Sequence, residues 1–321
     1  MIDLEGVVAL RAVATRGSVA GAADALGYTP SAVSQQVKRL ERNVGVALLE
    51  RAGRGVVLTD AGQHLVAASA VVLADLERIE ADLQLAAGAE VGAEVGAGVG
   101  MAPGGAPVRP LTGEVRIGAF STVVRGVLVE ALPALRARHP GLRTPVRESE
   151  PWETIALVAS GQRDLGIVHR WGGVALAMPD DLVATPLFTD VADVVLPAGH
   201  RLAGRAALTP ADLADEDWIA TFDSTICRQW LRRLFDGVAN APRVVHESME
   251  FASHLELVRA GLGVALVPRL GRGPLGEGLV AVPTAQPAST RDVAAVHRRS
   301  MAGSPALQAV LGAVVAATRD R

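Results

Sequence analysis

One cysteine, Cys227, in 321 residues excludes an internal disulfide and fits a reducing compartment. One lysine, Lys38, stands among 31 basic residues; with so much Ala, Gly and Val, that bias reflects a GC-rich genome more than a functional need. The longest apolar runs, Leu65 to Ala74 and Pro305 to Ala317 broken by Gln308, fall short of the ~20 residues that span a bilayer. No charged-then-apolar leader opens the chain, because Met1 to Leu10 runs straight into a first helix. These absences predict a soluble cytoplasmic protein with no membrane partner. Half the residues are apolar, enough for two or more domains with cores of their own.

Catalytic and metal signatures are missing as well. The seven histidines show no ligand spacing, and no second cysteine exists to build a zinc site. Gly271 to Gly276 matches G-x-G-x-x-G, but Pro274 interrupts it and no βαβ unit follows, so it reads as a loop. No Ser/His/Asp set sits in a nucleophile elbow. Cys227, inside a predicted helix, reads as a small core residue. The expectation is a protein that is not an enzyme and holds no cofactor or metal.

What is present is concentrated between Gly17 and Glu41, GSVAGAADALGYTPSAVSQQVKRLE. Ser18 caps a helix whose Val19, Ala22, Ala23 and Leu26 form a small apolar face, and Gly27 ends it. Thr29 caps a second helix with Pro30 at its first position, where a missing N–H costs nothing. There Val33, Val37 and Leu40 point inward, leaving Ser31, Ser34, Gln35, Lys38, Arg39 and Arg42 outside. Small hydroxyls, an amide and then cations suit a DNA major groove, where base edges take the former and phosphates the latter. The pattern predicts a helix-turn-helix bound to double-stranded DNA.

Gly45 to Gly62 follows with two short apolar runs around Arg51-Ala52-Gly53-Arg54-Gly55, a β-hairpin wing with Arg51 and Arg54 at its tip. From Gln36 to Arg54, five cations oppose two carboxylates, a local balance of +3 on a chain whose net charge is −3. A basic patch on an acidic protein is the footprint of phosphate contacts.

These first ninety or so residues resemble a LysR-type transcriptional regulator. The matching elements are Gly17-Ser18, Ala22-Ala23, Leu26, the run Ser31 to Val37, Arg39-Leu40-Glu41, Gly45, Leu49-Glu50-Arg51, Leu58-Thr59 and Ala61-Gly62. Tyr28 replaces a small aliphatic, Leu49 stands where the family usually has Phe, and Gln35 where many members carry Arg. The resemblance implies a winged helix-turn-helix over residues 1–60 and a dimerisation linker helix over 61–87. The periodicity agrees: Leu65, Val72, Leu76, Ile79, Leu83 and Leu85 form an apolar stripe that a second copy would bury. Residues 88–112 follow as a flexible Ala/Gly/Pro linker, longer than the family norm.

From Leu111 strands and helices alternate, which predicts an open, mostly parallel sheet with helices on both faces. Leu182 to Leu187 and Val191 to Leu196 read as two strands separated by Asp190. The segments RIGAF, GQRDLGIV and RAGLGVALVP resemble the effector-binding domain of the same family. That implies an α/β, two-lobed, periplasmic-binding-protein-like domain over 113–321, with lobe I at about 113–189 and 269–321 and lobe II at about 190–268.

In such sheets ligands sit beyond the carboxyl ends of strands, at helix starts. Candidate effector contacts are therefore Ser121 and Thr122, then Asp223, Ser224 and Thr225, then Met249, with Arg170 and Trp171 as a cation and an aromatic wall. Hydroxyls and amides there suit a small anion or carboxylate. The combined reading is a ligand-responsive, sequence-specific transcriptional regulator, working as a homodimer or homotetramer with RNA polymerase as a candidate partner. Its rivals are an α/β solute-binding or enzymatic protein carrying a DNA-binding head, and an architectural DNA binder without ligand control.

Overall fold

The computed structural model describes residues 2–52, 55–69, 72, 73, 76, 79, 110–238 and 241–319. Three helices open the chain: α1 (Leu4–Arg16), α2 (Val19–Leu26) and α3 (Pro30–Val44). Each is bounded by local chemistry that the sequence carries in the open. Asp3, Ser18 and Thr29 accept from the backbone amides of Gly6, Gly21 and Ala32, and Gly17, Gly27 and Gly45 end the helices in the left-handed conformation. Val7, Leu10 and Val13 of α1 pack with Ala22, Ala23, Val33, Val37 and Leu40 in a small core.

Strands β1 (Leu49–Ala52) and β2 (Gly55–Leu58) pair antiparallel as the wing. Glu41 fixes its entry, accepting from the amides of Leu48 at 2.9 Å and Leu49 at 3.2 Å. Residues 60–69 are helical. This helix starts so close to the wing that a Cβ on Gly62 would lie 2.2 Å from the Leu48 carbonyl oxygen. Leu65, Val66 and Leu73 pack on the helix-turn-helix core, whereas Val72 and Ile79 are half exposed. Leu83, Leu85 and the expected linker up to 109 lie outside the described residues, as does Arg54.

The rest of the described chain forms two lobes. Strands β3 (Thr112–Glu114) and β5 (Gly141–Arg143) make a small parallel pair. In lobe I, β4 (Ile117–Ala119) lies between β6 (Val146–Glu148) and β7 (Leu165–Trp171), all parallel, and β7 continues to an antiparallel β13 (Thr290–Arg298). In lobe II, β9 (Asp217–Ala220) pairs parallel with β10 (Arg243–Glu247) and β11 (Val264–Pro268). One strand serves both lobes. β8 (Leu182–Pro197) pairs with β13 through its first half and with β11 and β12 (Leu279–Pro283) through its second.

Three expectations change here. The two strands expected on either side of Asp190 are one strand of 16 residues running through it. β12, unforeseen, belongs to lobe II although it lies after residue 268. The sheet is mixed rather than mostly parallel, because β8, β11, β12 and β13 pair antiparallel around the crossing.

Helices cover both faces. The helix that starts at Ser121 has a regular first turn α4 (Ser121–Val123), a π-helical stretch Val124–Leu128, and α5 (Val129–Arg138). With α9 (Pro305–Ala316) it packs on Ile117, Leu165, Ile167 and Val293 to form the lobe I core. α6 (Pro151–Ala159) covers a smaller cluster around Val158 and Val296. In lobe II, α7 (Ile226–Leu234) and α8 (Phe251–Arg259) cover two clusters, centred on Trp218 and on Ala265.

Candidate functional site

The first candidate site is the outer face of α3. At about 100° per residue, Ser31, Ser34, Gln35, Lys38 and Arg42 fall on one side of this helix, opposite Val33, Val37 and Leu40, which are at most 2 % exposed. Ser31, Gln35, Lys38 and Arg42 are exposed and Ser34 is half-buried. Ser18, Thr29 and Pro30 shape the two helix starts. Arg51 is exposed on the wing. Arg39 departs from expectation. It lies at the edge of that face and turns back to α1, bonding Asp3 at 3.1 Å and Glu5 at 3.2 Å. The hydrogen bonds hold the Arg39 guanidinium above, and the Asp3 carboxyl below, their ordinary ranges. Arg39 clamps the domain together rather than standing free for phosphate.

The second candidate is the cleft between the lobes, where the carboxyl ends of β4, β6, β7, β9 and β10 meet. Its centre is a residue the sequence reading missed. Arg291 is 1 % exposed, and its guanidinium lies 2.9 Å from Asp190 Oδ2 and 2.7 Å from Thr122 Oγ1. It also lies over the rings of Phe120 and Trp171, 5.0 and 5.6 Å from their centroids. Asp190 in turn accepts from the amides of Val191 at 2.9 Å and Leu270 at 3.1 Å, so it ties the crossing within β8 to the segment that follows β11. A signal was available: Arg291 is in phase with Val293 and Ala295 on the inward face of β13, where a lone charge needs a partner.

Contacts between the lobes surround that pair. Trp171 of lobe I stacks on Trp230 of α7, centroids 5.7 Å apart and planes 16° from parallel. The Trp230 indole donates to Ser289 Oγ at 3.1 Å. A Cβ on Gly172, whose φ is +34°, would meet the Trp230 ring at 2.6 Å, so only glycine lets the lobes approach this closely. Glu150 of lobe I accepts from the Ile226 amide at the start of α7, and its Oε2 is buried without a partner. Burial pushes its carboxyl above the usual range, against the Ile226 amide and Arg291. Burial, reinforced by Arg291, drives His169 well below the ordinary histidine range, so the ring is neutral.

The predicted effector residues divide. Thr122 is buried and committed to Arg291. Ser121 is half-buried at the start of α4. Thr225 is buried as the cap of α7, accepting from the Arg228 amide at 3.2 Å and sharing a hydrogen bond of 2.6 Å with Thr221. Asp223 is exposed and pairs with Arg232 at 2.8 Å and Arg228 at 3.3 Å. Ser224 and Met249 are exposed at the rim. Arg170 is not part of the cleft. Strand alternation turns it to the face of β7 opposite His169 and Trp171, where it lies 3.5 Å from Asp292 with its side chain 60 % exposed.

Behind Trp171 lies a cavity of about 20 Å³, room for one water, lined by Thr221, Cys227, Arg228 and His254. Burial pushes the Cys227 thiol up to about 12. Arg228 had been overlooked. Its side chain is only 10 % exposed and its Nε has no partner, whereas the carboxylates it meets, Asp223 and Glu247, are 62 % and 49 % exposed. Among the described residues no group of His, Cys, Asp and Glu could hold a metal, and no helix is long and apolar enough to cross a membrane.

Comparison with known proteins covers both parts of the chain. Residues 4–63 match the bacterial regulatory helix-turn-helix protein, lysR family, and residues 109–319 match the LysR substrate binding domain. The chain belongs to the LysR family of transcriptional regulators. A probable hydrogen peroxide-inducible genes activator from Streptomyces viridosporus is 30 % identical over 97 % of this chain and 93 % of its own. The DNA-binding transcriptional dual regulator OxyR of Escherichia coli is 27 % identical over 94 % and 90 % of the two chains. Among solved structures, a full-length OxyR variant from Pseudomonas aeruginosa superposes with a TM-score of 0.65 at 20 % identity, covering 98 % of this chain and 95 % of that one. At that identity the likeness shows the fold. The protein is thus a LysR-type regulator, with a DNA-binding helix-turn-helix and an effector-binding domain.

Proposed function

We propose that α3 enters the major groove, with Ser31, Ser34 and Gln35 at base edges, Lys38 and Arg42 on phosphates, and Arg51 and Arg54 of the wing on the flanking backbone. The carrying observation is that this face is polar, largely exposed and opposite the buried Val33, Val37 and Leu40. Two copies joined through the apolar stripe of residues 61–87 would set two such helices in successive major grooves of an interrupted palindrome. The half-exposed Val72 and Ile79 support that pairing. Binding of the purified protein to its own upstream intergenic DNA, against random duplex near physiological salt, tests the reading. A preference of at least ~10³-fold is expected; equal binding that vanishes with salt would favour the architectural role.

The effector site we propose is the interlobe cleft, and the effector a small carboxylate or comparable anion. Arg228 supports the choice, because a deeply buried guanidinium held by two well-exposed carboxylates is poised to exchange them for a ligand. Ligand there would alter the contacts between the lobes, shifting a pre-existing equilibrium that presents the DNA-binding heads. A thermal-shift screen of small carboxylates tests this. Ligands that stabilise the wild type should lose their effect in Arg228→Gln, and an unaltered response would remove Arg228 from the site.

The name of the Streptomyces relative raises a second reading, a response to peroxide, for which this chain would need a reactive thiol. Cys227 argues against it here. It is the only cysteine, so no intrachain disulfide can form, and a thiol pushed up to about 12 holds almost no thiolate near neutral pH. Cys227→Ser is therefore expected to leave DNA binding and its response to peroxide unchanged in a gel-shift assay.

A further inference from the structure

We propose that Tyr28 is a DNA contact in its own right, its phenol bonding a phosphate beside the recognition helix. The inference rests on the reading of α3 as that helix. Tyr28 is the only tyrosine of the chain and stands 53 % exposed in the turn between α2 and α3. Its residue type and place invite a structural explanation, since an apolar side chain just before a helix cap commonly packs against the fourth residue of that helix. Here that residue is Val33, which is 0 % exposed within the helix-turn-helix core, whereas Tyr28 leaves 53 % of its surface in solvent.

The backbone on either side of the ring is nonetheless fixed. The Tyr28 amide donates to the Ala23 carbonyl at 3.0 Å, the Gly27 backbone is left-handed, and the Thr29 hydroxyl accepts from the Ala32 amide at 3.2 Å. The ring therefore springs from a fixed stretch of backbone and stands more than half in solvent. Residues 27 to 31 are all exposed and lead directly into Gln35 and Lys38, so the phenol borders the face assigned to DNA. Tyrosine hydroxyls serve as phosphate donors in such positions, fixing register without reading sequence. Being neutral, the phenol would add affinity without adding to the salt dependence.

Tyr28→Phe and Tyr28→Ala, measured with the full chain on its upstream DNA and on a random duplex of equal length, test the proposal. Tyr28→Phe should weaken binding to both duplexes by the same factor, about three- to tenfold. The slope of log K against log salt should stay that of the wild type, while Lys38→Ala loses ~0.9 of it. Neither Tyr28 variant should change the thermal midpoint. Unchanged binding of Tyr28→Phe overturns the proposal, as does a loss on upstream DNA alone or a midpoint lowered by more than ~4 °C in Tyr28→Ala. Gln35→Ala in parallel separates the two levels. If it loses discrimination while Tyr28→Phe binds normally, only the Tyr28 contact fails; if it keeps discrimination, the assignment of α3 fails with it.

Discussion

The groove-facing side chains of α3 point outward from an apolar core, whereas the interlobe cleft has a pair of opposite charges buried at its centre. On α3 the apolar and polar sets are cleanly divided, so chemistry at the surface can change without cost to the fold. In the cleft, Arg291, Asp190 and Thr122 are buried together and satisfy one another. Removing one strands the others in a medium where an unpaired charge is costly. A surface like that of α3 can therefore vary freely, while a cleft of this kind can vary only around its fixed centre.

That contrast can be broken at either end, and the largest effect is expected in the cleft. Asp190→Ala leaves Arg291 buried without its carboxylate and should cost about 3–5 kcal/mol in denaturant unfolding. A loss below ~1 kcal/mol would show that Arg291 simply swings to solvent. Gly172→Ala comes next. It drives a methyl into Trp230, and overpacking of this sort costs about 1–3 kcal/mol, visible as a lowered midpoint and altered tryptophan fluorescence. Gln35→Ala should forfeit about 1–3 kcal/mol of discrimination between target and random DNA with an unchanged midpoint; a destabilised variant would erase the division between the two regions.

Two smaller effects sharpen it. Arg39→Ala should keep the salt slope of DNA binding, because its guanidinium already serves Asp3 and Glu5; a slope reduced by ~0.9 would return Arg39 to the phosphates. Glu150→Gln should show its gain with pH. The folded-state pKa of Glu150 is raised, so the stability its protonated form contributes is present at low pH and lost as pH rises through that value. The midpoint of Glu150→Gln minus that of wild type should therefore increase from about pH 4 towards 7, and a flat difference would place Glu150 in water.

The same contrast explains what could be read from the sequence. Ser18, Gly27, Thr29 and Pro30 act on neighbours three or four positions away, so the helix-turn-helix was legible to within a residue or two. Arg39 misled because its partners lie 34 and 36 positions away on α1. The cleft is less local still: Arg291 reaches Asp190 across 101 positions and Thr122 across 169. Thr122 and Trp171 stood out in the sequence by their places at strand ends, though as effector contacts and not as partners of Arg291, which nothing near them announces. Asp190 resembled a turn between two apolar runs, and only the pairing of β13 across it shows why the strand continues. Leu279 to Pro283 carried a strand-like apolar run that went unread beside its glycine-rich approach.

One strand shared by two lobes has a mechanical consequence. If the lobes turn on one another, β8 cannot be carried wholly by either, and the turning axis must pass close to the peptide where its partners change, at Asp190. Points near an axis scarcely move, while points further from it sweep greater arcs. The Asp190–Arg291 pair then works as a pivot pin. It can keep its charge buried through such a motion, because neither partner has to leave the axis.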